Sequence, residues 1–160
     1  WGWADVLPYF KRLEDSDMAS GHADDWRGQG GPLHVSDVRP HVHPLCHDFL
    51  QAGVEMGLPA TDDINGPQWE GVTINQITTR KGLRESASTA YLRPALKRPN
   101  LRLITHALVE RVVFEGQRAS GVQFVVDGQR QVAQARREVL VCGGAVNSPQ
   151  LLMLSGLNSN

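Results

Sequence analysis

The chain has 160 residues, about the length of one domain. Hydrophobic residues make up 41% and charged residues 21%, with 16 glycines and 9 prolines, which excludes global disorder, collagen and low-complexity linkers. The 16 basic and 17 acidic residues leave a net charge of −1 with no basic face or tail, so no nucleic-acid or anionic-membrane surface is implied.

In chain order, residues 4–14 read as a short helix, with Asp5 as N-cap, Pro8 in the tolerated first turn and Leu7, Phe10 and Leu13 at helical spacing. Residues 15–32, ending in Gly30-Gly31-Pro32, read as a surface loop into a strand at Leu33–Ser36. Leu45, Phe49, Ala52 and Met56 then recur at i, i+4, i+7 and i+11, and Gly57 with Pro59 stops that helix. After the turn residues 61–67 a strand is expected over Val72–Thr79, and Ser86–Leu92 has helical character interrupted by Pro94 and closed by Pro99.

Beyond Pro99 the character changes. Residues 101–105 alternate, and Leu108–Phe114, Gly121–Val126 and Gln131–Arg136 predict a β-meander with tight turns near Glu115-Gly116 and Asp127-Gly128. Glu138–Cys142 is almost continuously apolar, the pattern of a strand covered on both faces. Gly143-Gly144 breaks it, and Ser148 as N-cap with Pro149 at the first helical position opens a last helix. The composition shift near residue 100 marks a boundary.

Most constellations carry no chemistry. His41, His43, Cys46 and His47 hold four potential metal ligands within seven residues, but Pro40 and Pro44 place the first two in an extended lead-in, so a solvated helix entrance is the better reading and no metal site is assigned. There is no G-x-S-x-G elbow, and Asp24-Asp25 and Asp62-Asp63 sit in turn chemistry that favours solvated turns over acid/base work. Trp1, Trp3, Trp26 and Trp69 lack regular spacing and read as packing residues. The full G-x-G-x-x-G fingerprint is absent, so strand, Gly-Gly and helix over 138–154 alone is a weak pointer to a nucleotide. Cys46 and Cys142 lie far apart and predict no disulfide scaffold. With no export signal or apolar run of roughly 18 residues, they point to a reducing, cytoplasmic location, with peripheral attachment to the inner membrane left open.

One segment is more specific. Gly144 to Leu157, GAVNSPQLLMLSGL, resembles the second signature of the glucose–methanol–choline (GMC) flavin oxidoreductases. WGWADVLPYFKRLE, GQGGPLHVS at 28–36, DINGPQWEGV at 63–72, residues 84–116 and residues 137–156 resemble that family in the same order, closest to its choline and alcohol dehydrogenase branch. Asn158 departs from the signature's glycine.

The resemblance implies a mixed α/β and α+β chain: part of a Rossmann-like FAD-binding domain, built as strand, meander, strand and helix, plus part of an antiparallel-sheet substrate domain. The implied division is 1–36 as connecting region, 37–98 as partial substrate domain and 99–160 as partial FAD domain. It further implies FAD as cofactor and a small-molecule alcohol as substrate, choline-like or another primary or secondary alcohol, oxidised by hydride transfer to flavin; the electron acceptor is not specified. Val109 matches the main-chain contact to the FAD adenine, and Gly143, Gly144 and Ala145 match the turn near the ADP half. The family's catalytic His and its His/Asn partner would lie C-terminal to Asn160 and the dinucleotide fingerprint N-terminal to Trp1, so both ends read as internal boundaries, no catalytic residue is assigned, and the chain alone is expected to be inactive.

Overall fold

A computed structural model of the chain describes residues 1–19 and 26–157. They fall into two units, Trp1–Leu101 and Arg102–Asn160. The Asp24-Asp25 pair and Asn158 lie outside the described residues.

In the first unit, α1 spans Trp3–Leu13. Gly2, not Asp5, is its N-cap; Asp5 occupies the third helical position and its carboxylate accepts the Gly2 N–H at 2.9 Å. Pro8 therefore lies inside the helix rather than in its first turn. The chain continues directly into β1, Glu14–Ser16, which pairs in parallel with β2, Leu33–Val35. The expected loop thus begins with a strand, too short at three residues for alternation to announce it.

Side chains join the distant parts of this unit. Arg27, 7% exposed, donates from Nη1 to Glu14 at 2.8 Å, from Nε to Asp63 at 2.7 Å, and from Nη2 to the other Asp63 oxygen. Burial works against its charge, but the Asp63 hydrogen bond and the two carboxylates outweigh it and raise the pKa. Asp63 is therefore a partly buried ion-pair partner, not a solvated turn residue, whereas Asp62 is open to solvent and reaches Arg39 at 3.4 Å. The Gly30 N–H and His34 hold Asp15 below the usual carboxylate range; the imidazole lies 3.1 Å from Asp15 and 3.5 Å from Asp17. Trp3 packs on Trp26 with centroids 5.4 Å apart and on Phe10 at 6.5 Å, in line with a packing role. Trp1 and Trp69 are exposed.

Helix α2 spans Pro44–Glu55, with Pro44 in its first turn and His43 as N-cap, its ring accepting the Leu45 N–H. The predicted apolar stripe is present but unpacked: Leu45, Phe49 and Met56 are all exposed. The expected strand over Val72–Thr79 is replaced by single bridges, Val72 to Ala60 and Ile77 to Ser36. Only Thr79–Arg80 (β3) and Leu83–Arg84 (β4) form an antiparallel pair, turning through Lys81 and Gly82, both at positive φ. Alternation at 72–79 has no continuous partner strand among the described residues. Next, Ser86 and Thr89 exchange backbone-to-hydroxyl hydrogen bonds and open a π-helical turn, Ser88–Leu92, continuous with α3, Arg93–Ala95. Pro94 is the second residue of α3, directly after the π-helical turn, and does not interrupt the helical run.

The second unit centres on a three-stranded antiparallel meander, β5 (Leu108–Glu115), β6 (Arg118–Val126) and β7 (Gln129–Gln134), in the order β5-β6-β7. Glu115 pairs with Arg118 and Val126 with Gln129, so both turns have two residues, Gly116-Gln117 and Asp127-Gly128. Asp127 at φ 51° and Gly128 at φ 74° match the right-handed twist of the flanking strands. Val112 and Phe124 are buried here. Glu110 accepts from Arg130 and Gln123, which hold its pKa down to about 2.

Two predicted strands do not form. Residues 101–105 and 138–142 have no strand pairing among the described residues, and Leu103 and Leu140 are exposed, because a strand buried on both faces needs neighbours that these residues do not supply. The last helix, α4, spans Gly144–Leu154 with Gly143 as N-cap, five residues before the expected cap Ser148, and Pro149 is interior. It ends in a Schellman motif: Gly156, at φ 90°, donates to Met153 at 3.0 Å and Leu157 to Leu152 at 3.1 Å. Cys46 in α2 and Cys142 ahead of α4 are both exposed, unbonded thiols. No helix among the described residues is long and apolar enough to cross a membrane.

Candidate cofactor-binding cleft

The second unit contains a cleft of about 730 Å³ between the meander, the run 138–142 and α4. Val109 and Val122 line one wall, and Leu140, Cys142, Gly143 and Leu151 another. Val109 sits on β5, the edge strand, where half of the main-chain N–H and C=O groups face away from β6. A β-bulge between Val109 and Arg111 interrupts the ladder beside it.

Across the cleft, the glycines fit their place for definite reasons. Gly144 has φ 86°, a conformation that resists any side chain, and open space where a Cβ would stand. A Cβ on Gly143 would come within 3.3 Å of the Asn147 Cβ, tighter than ordinary contact. They lead into the start of α4, whose first N–H groups lack intrahelical acceptors and whose first turn carries no acidic side chain to occupy them.

Of the four residues singled out from the sequence, Val109 and Gly143 face the same cleft, and Gly144 and Ala145 begin the adjoining helix. Among the described residues, Glu138 is the only charged one lining the cleft. The arrangement can therefore hold a flat apolar ring between aliphatic walls and accept an anion at the helix start, but it offers no paired acid and base for proton transfer. An adenine with a neighbouring phosphate has that chemistry, so the residues present fit the ADP half of a dinucleotide. The histidine cluster at 41–47 does not converge: the described residues contain no group of three His, Cys, Asp or Glu able to hold a metal, and the His43 ring caps α2.

Two features escaped sequence reasoning. Arg27 stands between Trp26 and Gly28, with no spacing to mark its carboxylate partners Glu14 and Asp63. Ser155 has its own signal, a hydroxyl between the apolar end of α4 and Gly156; it accepts the Val112 N–H at 2.8 Å and donates to the Leu151 carbonyl at 2.6 Å.

The fold is thus a mixed α/β chain whose second unit sets a glycine-led helix beside an apolar cleft. A family model described as GMC oxidoreductase matches residues 1–160, and the chain belongs to that family. GMC oxidoreductases are FAD-dependent. The chain is 47% identical over 158 residues to an oxygen-dependent choline dehydrogenase of Burkholderia cenocepacia (strain HI2424), covering 98% of this chain and 27% of that protein. It is 48% identical over 159 residues to the mitochondrial choline dehydrogenase of Mus musculus, covering 99% of this chain and 26% of that protein. Among solved structures, pyridoxine 4-oxidase from Mesorbium loti superposes with a TM-score of 0.87 at 36% identity, over 98% of this chain and 30% of that one. An FAD-dependent oxidoreductase from Chaetomium thermophilum superposes with a TM-score of 0.80 at 26% identity, over 98% and 29%. The chain thus spans between a quarter and a third of the length of these relatives.

Proposed function

We propose that these residues form part of an FAD-dependent oxidoreductase acting on CH–OH donors, with choline or a similar small alcohol as substrate. Bound FAD would supply the acceptor for a hydride leaving the carbinol carbon. The chain's own share is to bind and orient: the main chain of Val109 would meet the adenine edge, the aliphatic walls would keep water from the ring, and Gly143, Gly144 and Ala145 would let the ADP half approach the start of α4. Residues 1–36, 37–98 and 99–160 would belong to the connecting region, the substrate domain and the FAD domain, the last in the Rossmann-like manner of the family. The observation that carries this reading is that Val109 and Gly143, 34 positions apart, face one apolar cleft beside Gly144, a left-handed glycine with open space where a Cβ would stand.

The test is Gly144→Val in the full-length polypeptide that contains these residues. A β-branched residue at that φ carries a strain of roughly 1–3 kcal/mol, and FAD affinity is expected to fall by about tenfold or more. Flavin absorbance per polypeptide and reconstitution of apoprotein measure it. Unchanged FAD content would count against the assignment. Anaerobic bleaching of the flavin by choline, compared with other small alcohols, tests the substrate.

A further inference from the structure

The Ser155 hydroxyl is not needed to stop its own helix. Gly156 and Leu157 already satisfy the last carbonyls of α4 through the Schellman bonds to Met153 and Leu152, and the Ser155 main-chain N–H donates to Leu151 and Leu152 at 3.0 and 3.1 Å. An alanine would serve equally well as the last residue before such a stop. Instead the hydroxyl spans two elements, giving its proton to Leu151 at 2.6 Å and accepting the Val112 N–H at 2.8 Å. Val112 is 4% exposed and pairs in register with Val122 of β6, but its N–H goes to Ser155, so without that hydroxyl the amide would be a buried donor with no acceptor.

The position of this bond matters for the cleft. Val112 is three residues along β5 from Val109, roughly 10 Å at strand rise. Ser155 closes the far end of α4, about 16 Å from Gly144 at helical rise. Strand and helix therefore meet at the Ser155–Val112 bond and carry Val109 and Gly143 away from it on opposite walls of the cleft. Leu151, whose carbonyl the hydroxyl also holds, lines the same wall of the cleft as Gly143.

We infer that Ser155 is a positioning residue for the cofactor cleft: its hydroxyl locks α4 onto the edge of β5 and so fixes the spacing between the Val109 main chain and the Gly143-Gly144 turn. This rests on the reading of the cleft as the ADP-binding wall. Ser155 does not itself line the cleft and acts through Val112 and Leu151.

The experiment compares wild type, Ser155→Ala, Ser155→Thr and Gly144→Val in the full-length polypeptide, reading the FAD dissociation constant of reconstituted apoprotein by flavin fluorescence and, separately, the melting temperature of the apoprotein. Ser155→Ala is expected to weaken FAD about tenfold, and Ser155→Thr, which keeps the hydroxyl, to restore it to within about twofold of wild type. An unchanged dissociation constant in Ser155→Ala, with or without a lower apoprotein melting temperature, overturns the inference while Gly144→Val still weakens FAD. Equal weakening by alanine and threonine also overturns it, because the hydroxyl would then not be the operative group. If Gly144→Val leaves FAD affinity unchanged, the assignment of the cleft fails, and this inference falls with it.

Discussion

Between Glu14 and Arg84 the first unit has strand pairings of only two or three residues, and its distant segments are joined by side chains: Arg27 to Glu14 and Asp63, His34 to Asp15 and Asp17, Arg39 to Asp37 and Asp62. From Leu108 to Gln134 the second unit is instead an extended antiparallel ladder, with register shifts at Val109/Arg111 and Val113/Phe114 and two-residue turns, and its ion pair Glu110–Arg130 lies across the strands as an addition. A ladder distributes cohesion over many equivalent main-chain bonds, each worth about 1 kcal/mol net. A few buried charges concentrate it, and losing one partner leaves the others uncompensated. The first unit should therefore fail at single residues, and the second should yield gradually.

Arg27→Met gives the largest effect. It strands two partly buried carboxylates and is expected to cost about 3–5 kcal/mol, while Arg27→Lys, which keeps charge but not the two-pronged geometry, recovers only part. Hydrogen exchange should show lost protection at β1 and β2 with the β5–β6 amides unchanged; loss of protection in both would break the contrast. Gly128→Ala places a side chain at φ 74° in the second turn of the meander and should cost about 1 kcal/mol, seen as a lower urea midpoint with an unchanged slope. The smallest effect is electrostatic. Arg130, then Gln123, lower the Glu110 pKa from 4.5 to about 2. Its folded-state value lies below the unfolded one, so its contribution is complete above about pH 4.5 and is lost as pH falls toward 2. Glu110→Gln should flatten the urea midpoint of the second unit across that interval and leave the first unit's acid response, which comes from Asp15 and Asp37, as it was.

The same contrast explains what was legible in the sequence. The meander and both its turns could be read because period-two alternation and Asp-Gly are local signals, and α1 and α2 because 3.6-residue spacing is local too. The strands at 101–105 and 138–142 were misjudged because their pattern specifies a partner, and pairing is decided by chain that lies elsewhere in the sheet. The start of α4 was placed at Ser148-Pro149 since that dipeptide suits a helix entrance; Gly144 at φ 86° takes the role because it alone allows the tight exit from the apolar run. In the cleft, Val109 would have read as an ordinary strand valine without the resemblance, since a main-chain contact leaves no side-chain signature. Asp63 passed as a turn residue because its partner, Arg27, is 36 positions away.

The two thiols give the chain a built-in pair of reporters. Cys46 lies on α2 in the first unit and Cys142 at the entrance to α4 in the second, and both are accessible and unpaired. One spin label or fluorophore can be attached to each unit without introducing a new cysteine. Dipolar spectroscopy or energy transfer between them would then read the distance from one unit to the other directly.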